Sequence, residues 1–559
     1  MVFSFPAIAE EDIDLEVINQ IRDEGFTHSE VVDILRHLTD EIGPRLTGSP
    51  QMKAANDWTL SKLQEWGLEN GYLDAYEFGR GWTMEKSLVT MITPRHDQLY
   101  AFPLAWTIGT DGPIEAEVVL AEISSKDDFE KFKGKLEGKI VLVTKPSYWN
   151  EPSNEVFHRG DEKDLTDLAK FPVPEEELER PEPGFLERVG FYKELADFLA
   201  AEGAVAAIKK PWREGHLIQA QAYFHMVGST MPIPMLEMAS EHYNRMARLV
   251  EAERDVVLRL DLETTFYDED PNAYNTIAEI PGQGRNPEIV MVGAHLDSWA
   301  MADGAVDNGA GSAVVMEAMR ILASLPNFKP KRTIRIGLWS GEEQGFYGSL
   351  TYIRKHFAER PFPEEIKYEG FAKETQTFDQ WPITTKPDYE RFAGYFNVDN
   401  GSGKIRGIYT QGNVATAEIF EEWFKPFHDL GAETVVTNYT RGTDHVPFQN
   451  VGLPAYQFIQ DPLDYGSRLH HTQLDTFDHI VPEDLKQASV ILASFLYLAA
   501  TRDDPLPRKP LPRQTDEDKK WKAQEAEEKA EKEAKEAKEA EEQAEKEATE
   551  TEEAADKEG

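Results

Sequence analysis

Histidine and carboxylate side chains recur at the ends of apolar runs in the second half of this 559-residue chain. His295 and Asp297 follow the apolar residues 288–294, and the adjacent Glu342 and Glu343 follow a second β-rich run. A strand that leads directly into such residues places polar groups where a purely structural core would have leucine or valine. Carboxylates crowded together repel one another, and a bound cation relieves that repulsion. The pattern therefore predicts a metal site.

The available side chains point to zinc as the metal. Imidazole nitrogen and carboxylate oxygen are common zinc ligands. The chain contains no cysteine, which excludes thiolate ligands, disulfide bonds and cysteine nucleophiles. Further candidates are Asp307 in a Gly-rich acidic loop, Asp399 after another apolar run, and the adjacent His470 and His471. Together these residues make up most of a two-zinc hydrolase site.

The elements that must position these residues alternate between strand and helix. Residues 288–294 and 332–339 have the composition of buried strands, whereas residues 312–324 and 348–357 have helical periodicity. This alternation predicts an α/β sandwich with a mostly parallel central sheet and with the site at the carboxyl ends of its strands. Helical periodicity between residues 12 and 66 predicts further helices near the N-terminus.

A different pattern occupies residues 112–265, where short β-rich segments are separated by turns. It predicts a separate inserted domain within a discontinuous catalytic domain of residues 1–111 and 266–510. From residue 514 the composition is almost wholly Glu, Lys, Ala, Gln, Asp and Thr, without a repeated apolar position. Residues 511–559 are therefore predicted to be a charged tail, either a solvated helix or disordered, without a catalytic role.

Charge and hydropathy exclude some classes of partner. The formal net charge of −43 argues against nucleic acid, because phosphate binding needs a surplus of Lys and Arg. No apolar run approaches the roughly 18 residues of a membrane span. Residues 7–9, Ala-Ile-Ala, have the pattern that signal peptidase cleaves after, although a basic n-region and a full h-region are lacking. We therefore expect a secreted or periplasmic protein with a truncated export signal ending near Ala9, or a cytoplasmic protein.

These motifs closely resemble those of the co-catalytic di-zinc peptidase family, which includes bacterial leucyl aminopeptidases, glutamate carboxypeptidases and glutaminyl cyclases. The resemblance covers roughly residues 30–110 and 270–500. Gly43-Pro44-Arg45 and the segment from Trp82 to Ser87 also fit one branch of the family. The insert resembles a protease-associated domain, and the resemblance suggests a homodimer.

The resemblance implies two zinc ions per chain and a bridging role for Asp307. Asp297 is implied to hold the ring of one ligand through its other nitrogen. His471 is preferred over His470 because it occupies the family's His-Thr/Ser-x-x-Asp-Thr position. Relatives commonly have a cis peptide after the bridging aspartate, here between Asp307 and Asn308. The implied ligands are His295, Asp307, Glu343, Asp399 and His471.

The same resemblance makes Glu342 the general base, which takes a proton from water and returns it to the leaving amine. Adjacent acids also occur at helix N-termini without a catalytic role. His445 lies in a segment that matches the family's Ser/Thr-Asp-His-x-Pro-Phe element. It either faces the cleft and stabilises the intermediate or is a hydrogen-bonded structural histidine. Tyr465 and Arg468 either contact substrate or lie on the surface.

The resulting expectation is a zinc-dependent exopeptidase that hydrolyses dipeptides or short peptides. One alternative is a glutaminyl cyclase-like acyltransferase, but cyclases of this family typically use a single zinc, and all the ligand positions are filled here. A second alternative is a non-catalytic receptor-like ectodomain, which the intact Glu342 and ligand set argue against. The sequence leaves aminopeptidase, carboxypeptidase and dipeptidase specificity open.

Overall fold

The computed structural model describes residues 11–148, 155–170, 184–366 and 371–516, together with scattered residues between 519 and 538. Two eight-stranded sheets organise these residues. The expected cleavage site near Ala9 and most of the predicted charged tail lie outside the described residues. Within the described part of the chain, no helix combines the length and the apolar character needed to cross a membrane.

Helices and strands alternate irregularly along the described chain. The helices, in chain order, are α1 (Leu15–Thr27), α2 (Val31–Arg36), α3 (Pro50–Glu65), α4 (Phe129–Phe132), α5 (Glu162–Ala169), α6 (Phe185–Ala201), α7 (Ser240–Glu251), α8 (Ala310–Ser324), α9 (Tyr347–His356), α10 (Ala417–Phe424), α11 (His445–Asn450) and α12 (Pro482–Thr501). The strands, in the same order, are β1 (Glu69–Glu77), β2 (Gly81–Thr93), β3 (Asp97–Leu99), β4 (Ala101–Pro103), β5 (Ile114–Leu120), β6 (Ile140–Leu142), β7 (Ala206–Lys209), β8 (Met235–Met238), β9 (Val257–Tyr267), β10 (Asn272–Ile280), β11 (Ile289–His295), β12 (Thr333–Trp339), β13 (Ala358–Glu359), β14 (Thr384–Thr385), β15 (Phe392–Asn397), β16 (Ile405–Tyr409), β17 (Thr434–Val436) and β18 (Ala455–Gln460).

The first sheet has the strand order β1-β10-β12-β11-β15-β18-β16-β17. Its four central strands, β12, β11, β15 and β18, run parallel to one another, whereas β1, β10 and β16 form antiparallel pairs. Every residue of β11 is buried, because apolar clusters cover both faces of the sheet. The predicted α/β class is confirmed, and the parallel arrangement is confined mainly to the centre of a mixed sheet.

The second sheet has the order β3-β2-β9-β5-β6-β7-β8-β4. The sequence pattern predicts the start of the insert at residue 112, but this sheet already includes the strands between residues 81 and 103. β2 pairs antiparallel with β9 along nearly its whole length. The partner of β2 thus comes at the far end of the insert, and a local sequence pattern carries no information about such a pairing. The second domain, as its sheet defines it, therefore begins near residue 81.

The chain remains attached to the first domain beyond the predicted end at residue 510. Leu506 is 3% exposed and belongs to the core around α8 and α12. The Lys509 ammonium donates a hydrogen bond to the carbonyl of Gln411 at 2.8 Å. A Cβ atom on Gly452 would lie 2.4 Å from Cδ of Pro512, so the two residues are in close contact. The folded body therefore extends at least to residue 512.

Candidate metal centre

The predicted ligands follow neighbouring parallel strands of the first sheet. Carboxyl ends of parallel strands meet at one edge of a sheet, so residues that follow them converge. Glu343 follows β12, His295 ends β11, Asp399 follows β15, and His471 lies in the loop after β18. Asp307 comes from the loop that enters α8. The structure thus brings all five predicted ligands to one edge.

One group of ligand atoms forms around His295. Its Nε2 lies 3.1 Å from Oδ1 of Asp307 and 3.5 Å from Oδ1 of Asp399. All three residues are buried, and their candidate ligand atoms lie within 4.8 Å of one another. Three nitrogen and oxygen atoms at this spacing suit one divalent cation.

A second group of ligand atoms forms around His471. Its Nε2 lies 3.3 Å from Oδ2 of Asp307 and 3.0 Å from Oε2 of Glu343. His470, which the family pattern makes a neighbour rather than a ligand, has its Nε2 3.8 Å from Oδ2 of Asp307 and belongs to the same group. Asp307 therefore directs Oδ1 at one group and Oδ2 at the other, as a bridging ligand does.

The charge state of the pocket fits bound cations. Oε1 of Glu343 is buried without a hydrogen-bond partner among the described residues. Burial raises the pKa of Glu343 to about 7 against the opposing effect of His471, and burial raises the pKa of Asp444 to about 8. Burial alone would lower the pKa of His471, but the Glu343 carboxylate raises it to about 8. Divalent cations in the pocket would stabilise the ionised carboxylates and the neutral imidazole.

Asp297 supports both the His295 ring and the turn that carries the paired glutamates. Nδ1 of His295 lies 3.0 Å from the backbone carbonyl oxygen of Asp297 and 3.5 Å from its Oδ1. The Thr47 hydroxyl donates to Oδ2 of Asp297 at 3.1 Å. The backbone N–H groups of Glu342 and Glu343 each donate to this carboxylate at 3.3 Å. Asp297 thus fixes the directions in which the two glutamate side chains leave the turn.

Glu342 differs from Glu343 in having no assigned partner. The Glu342 side chain accepts no hydrogen bond from the described residues, and the residue is 8% exposed. Burial raises its pKa well above the ordinary value, and the carboxylates of Asp399 and Asp444 raise it further. A carboxylate with a raised pKa and no partner is suited to accept a proton.

Asp307 is held by contacts to its backbone and its carboxylate. The carboxylate of Asp475 accepts hydrogen bonds from the N–H groups of Val306, at 2.6 Å, and Asp307, at 2.9 Å. The Tyr465 hydroxyl donates to Oδ2 of Asp307 at 3.3 Å, which places Tyr465 at the site. The peptide bond between Asp307 and Asn308 is cis, as the family resemblance implies.

Residues that the sequence analysis did not identify complete the wall beside His471. Nε2 of Gln221, from the second domain, lies 2.7 Å from Nδ1 of His471. Nε1 of Trp299 donates to Oε2 of Glu343 at 2.7 Å. The ring of Tyr223 packs edge-on against Trp299, with centroids 5.5 Å apart. Trp299 lies just after the His295 motif, which is a usable signal, whereas Gln221 lies 250 positions before its partner and carries no such signal.

Arg45 ties the N-terminal segment to the loop that leads to Asp307. Its buried guanidinium donates to the carbonyl oxygens of Leu296, Asp303 and Gly304 at 2.8, 2.6 and 2.7 Å, and to two carbonyls of its own segment. Burial lowers its pKa to about 10, so the group is still charged at neutral pH. The Gly-Pro-Arg motif thus shapes the ligand loop.

His445 and Arg468 have their own partners. Nε2 of the buried His445 lies 3.1 Å from the carbonyl oxygen of Thr440, and its Nδ1 is buried without a partner among the described residues. Burial lowers the pKa of His445 to about 4, which keeps the ring neutral. Arg468 pairs with Asp464 at 2.8 Å, so its guanidinium serves the loop rather than the metal groups.

The segment that contains the proposed ligands is similar to known peptidases. Residues 275–496 match the model of Peptidase family M28. Carboxypeptidase Q of Mus musculus is 25% identical over 473 residues, which cover 84% of this chain and 86% of that protein. Aminopeptidase YwaD of Bacillus subtilis is 29% identical over 225 residues, which cover 40% of this chain and 44% of that protein.

Solved structures show the same fold. A peptidase M28 precursor from Shewanella amazonensis superposes with a TM-score of 0.63 at 26% identity, covering 89% of this chain and 99% of that one. A zinc aminopeptidase from Bacillus subtilis superposes with a TM-score of 0.52 at 19% identity, covering 84% of this chain and 95% of that one.

Proposed function

We propose that this chain, a metallopeptidase of family M28 related to carboxypeptidase Q, is a two-zinc exopeptidase that hydrolyses dipeptides or short peptides. The observation that carries the proposal is the position of Asp307, whose two carboxylate oxygens face two different groups of candidate ligand atoms. The all-nitrogen and oxygen donor set and the unpartnered Oε1 of Glu343 support zinc.

The ligand assignment divides the site into two halves. His295 and Asp399 would hold one ion, Glu343 and His471 the other, and Asp307 both. His471 is preferred over His470 because it also contacts Glu343 and is held from behind by Gln221. If Nε2 of His471 binds a metal ion, its Nδ1 would carry the proton, and the Gln221 amide would be flipped so that its oxygen accepts that proton.

Two zinc ions at this site would supply Lewis acidity and lower the pKa of water. Glu342 would accept the proton of the attacking water, since its carboxylate has a raised pKa and no hydrogen-bond partner among the described residues. It would then deliver the proton to the leaving amine. Asp297 keeps Glu342 and Glu343 in fixed directions, so that one can bind metal while the other moves the proton.

His445 has a supporting part in this proposal. Its neutral ring presents an unpartnered Nδ1 in the site, close enough to Asp399 for that carboxylate to affect its pKa. An Nδ1 lone pair can accept a hydrogen bond from a bound substrate. Stabilisation of an oxyanion needs a hydrogen-bond donor instead. The neutral His445 ring has no proton left for that role, because its Nε2 proton is donated to the carbonyl oxygen of Thr440.

The proposal is tested by metal analysis of the purified protein together with peptide hydrolysis. We expect two zinc ions per chain, and loss of hydrolysis on chelation that is reversed by added zinc. A dipeptide set in free and N-acetylated forms would show whether a free amine is required. At most one tightly bound ion at full activity would overturn the two-zinc assignment.

A further inference from the structure

A second-domain arginine, Arg213, lies beside the loop of Tyr465 and has no charged partner among the described residues. Arg213 is 7% exposed, and its Nε and one terminal nitrogen are buried without any hydrogen-bond partner among the described residues. Its other terminal nitrogen lies 3.3 Å from the carbonyl oxygen of Gly466, and its guanidinium lies over the ring of Trp212 at 4.6 Å. A buried guanidinium without an ionic partner destabilises the folded protein unless a bound anion pairs with it.

The other buried arginines of the described residues have more partners, which sets Arg213 apart. Arg45 and Arg360 donate to several backbone carbonyls, and each of their guanidinium groups is engaged on more than one side. Arg320 pairs with Glu317 at 2.7 Å, and Arg332 pairs with Glu288 at 2.6 Å. The unpaired state of Arg213 is therefore not a general property of buried arginine in this protein.

The surroundings of Arg213 connect it to the reaction site. Gly466 directly follows Tyr465, whose hydroxyl contacts the bridging Asp307 and whose ring packs against His470 at 4.9 Å. Arg213 also precedes Gln221 on the same connection between β7 and β8. The guanidinium thus lies beside the loop that supplies the histidine ligand, on the wall built by the second domain.

We infer that Arg213 binds a carboxylate of the substrate residue on the leaving side of the scissile bond, an inference that rests on the proposed peptidase function. A guanidinium offers a planar pair of donors that fits a carboxylate through two parallel hydrogen bonds. In a dipeptide the free α-carboxylate belongs to the leaving residue and lies only a few bonds from the scissile carbonyl. The acidic side chains of the centre cannot serve this group, because like charges repel.

This binding site makes the protein selective for release of a residue with a free carboxyl end. The source of the carboxylate is either the α-carboxyl group or an acidic side chain of the leaving residue. Three substrates separate these sources: Ala-Leu, its carboxamide Ala-Leu-NH2, and Ala-Glu-NH2, which retains only the side-chain carboxylate. The wild type is expected to hydrolyse Ala-Leu with a kcat/KM about 10- to 100-fold above that of Ala-Leu-NH2, the effect of a hydrogen bond to a charged group.

The decisive variant is Arg213→Met. It should lower kcat/KM for Ala-Leu by about 10- to 100-fold while leaving Ala-Leu-NH2 within about twofold of wild type, so that the preference disappears. A loss on Ala-Glu-NH2 instead of Ala-Leu would assign the site to a side-chain carboxylate. Arg213→Lys keeps the charge without the planar fork and should retain part of the preference. Arg259→Met, on the same domain and 48% exposed, serves as the matched control and should change nothing.

A measurement that does not depend on the variant folding uses the wild-type holoenzyme. Leucine should inhibit Ala-Leu hydrolysis at a concentration about tenfold or more below that required of leucinamide. Equal rates on Ala-Leu and Ala-Leu-NH2 with equal inhibition by the two products would overturn the role of Arg213 and leave the peptidase function standing. Absence of hydrolysis of every peptide tested would overturn both.

Discussion

The two domains contribute to the metal centre in different ways. The first domain supplies every proposed ligand from residues that follow neighbouring strands, so the geometry is set by a buried parallel sheet. The second domain supplies Arg213, Gln221 and Tyr223 from the irregular connection between β7 and β8. The sheet therefore positions the proposed ligands, while a long connection on another domain contacts His471 and carries the proposed substrate-binding residue Arg213.

The largest effect should come from the turn of the first domain. Glu342→Gln should lower kcat by about 10²- to 10⁴-fold, because it removes the proton acceptor, and should leave both metal ions bound. Peptide hydrolysis and metal content of the same preparation measure this. The adjacent Glu343→Gln is the matched variant, and its activity should fall through loss of metal from the half that contains His471. Near-normal turnover of Glu342→Gln would place the proton acceptor elsewhere.

The second domain should have a smaller effect, and on metal affinity rather than on proton transfer. Gln221→Ala removes the group behind His471 and should weaken binding of one zinc by about 10- to 100-fold, the usual cost of losing such a partner. Competition with a graded chelator series measures the affinity of each ion. Gln219→Ala, two residues earlier and half-buried, should bind both ions as the wild type does. Equal weakening in the two variants would mean that the second domain acts only through its fold.

The smallest effect should come from removal of the charged C-terminal segment. A chain that ends at residue 514 should hydrolyse peptides within about twofold of the full chain and unfold at the same temperature, because the segment has no repeated apolar face to bury. A chain that ends at residue 505 loses the buried Leu506 and should be less stable by about 1.5 to 3 kcal/mol. Loss of activity in the chain that ends at residue 514 would show that the charged segment, besides the two domains, contributes to the active site.

The sequence predicts those site residues whose positions follow from the secondary structure next to them in the chain. His295 ends one apolar strand and Glu343 lies in the turn after the next, so their convergence follows from parallel pairing of β11 and β12. The resemblance to the di-zinc peptidase family then adds the proposed bridging role of Asp307. These residues are placed by elements only a few residues away, and the predicted helices α8 and α9 lie within two residues of their observed bounds.

What the sequence does not predict depends on contacts between distant segments. The pairing of β2 with β9 joins residues on either side of the insert, so the predicted boundary at residue 112 lies inside the second domain. Gln221 reaches His471 only after both domains have folded. That Arg213 lacks a charged partner among the described residues is likewise a tertiary property, because a sequence does not show which buried arginine is left without a carboxylate. Periodicity and motif spacing contain no measure of these contacts.

The contacts of the buried Arg45 guanidinium have a consequence for folding during synthesis on the ribosome. Three of its carbonyl partners, on Leu296, Asp303 and Gly304, are synthesised about 250 residues after it, and the last proposed ligand, His471, emerges still later. A nascent chain shorter than this therefore lacks the contacts that shape the loop of Asp307 and one of the proposed metal ligands. We therefore expect no peptide hydrolysis from a nascent chain until residue 471 has left the ribosome and packed against the rest of the site.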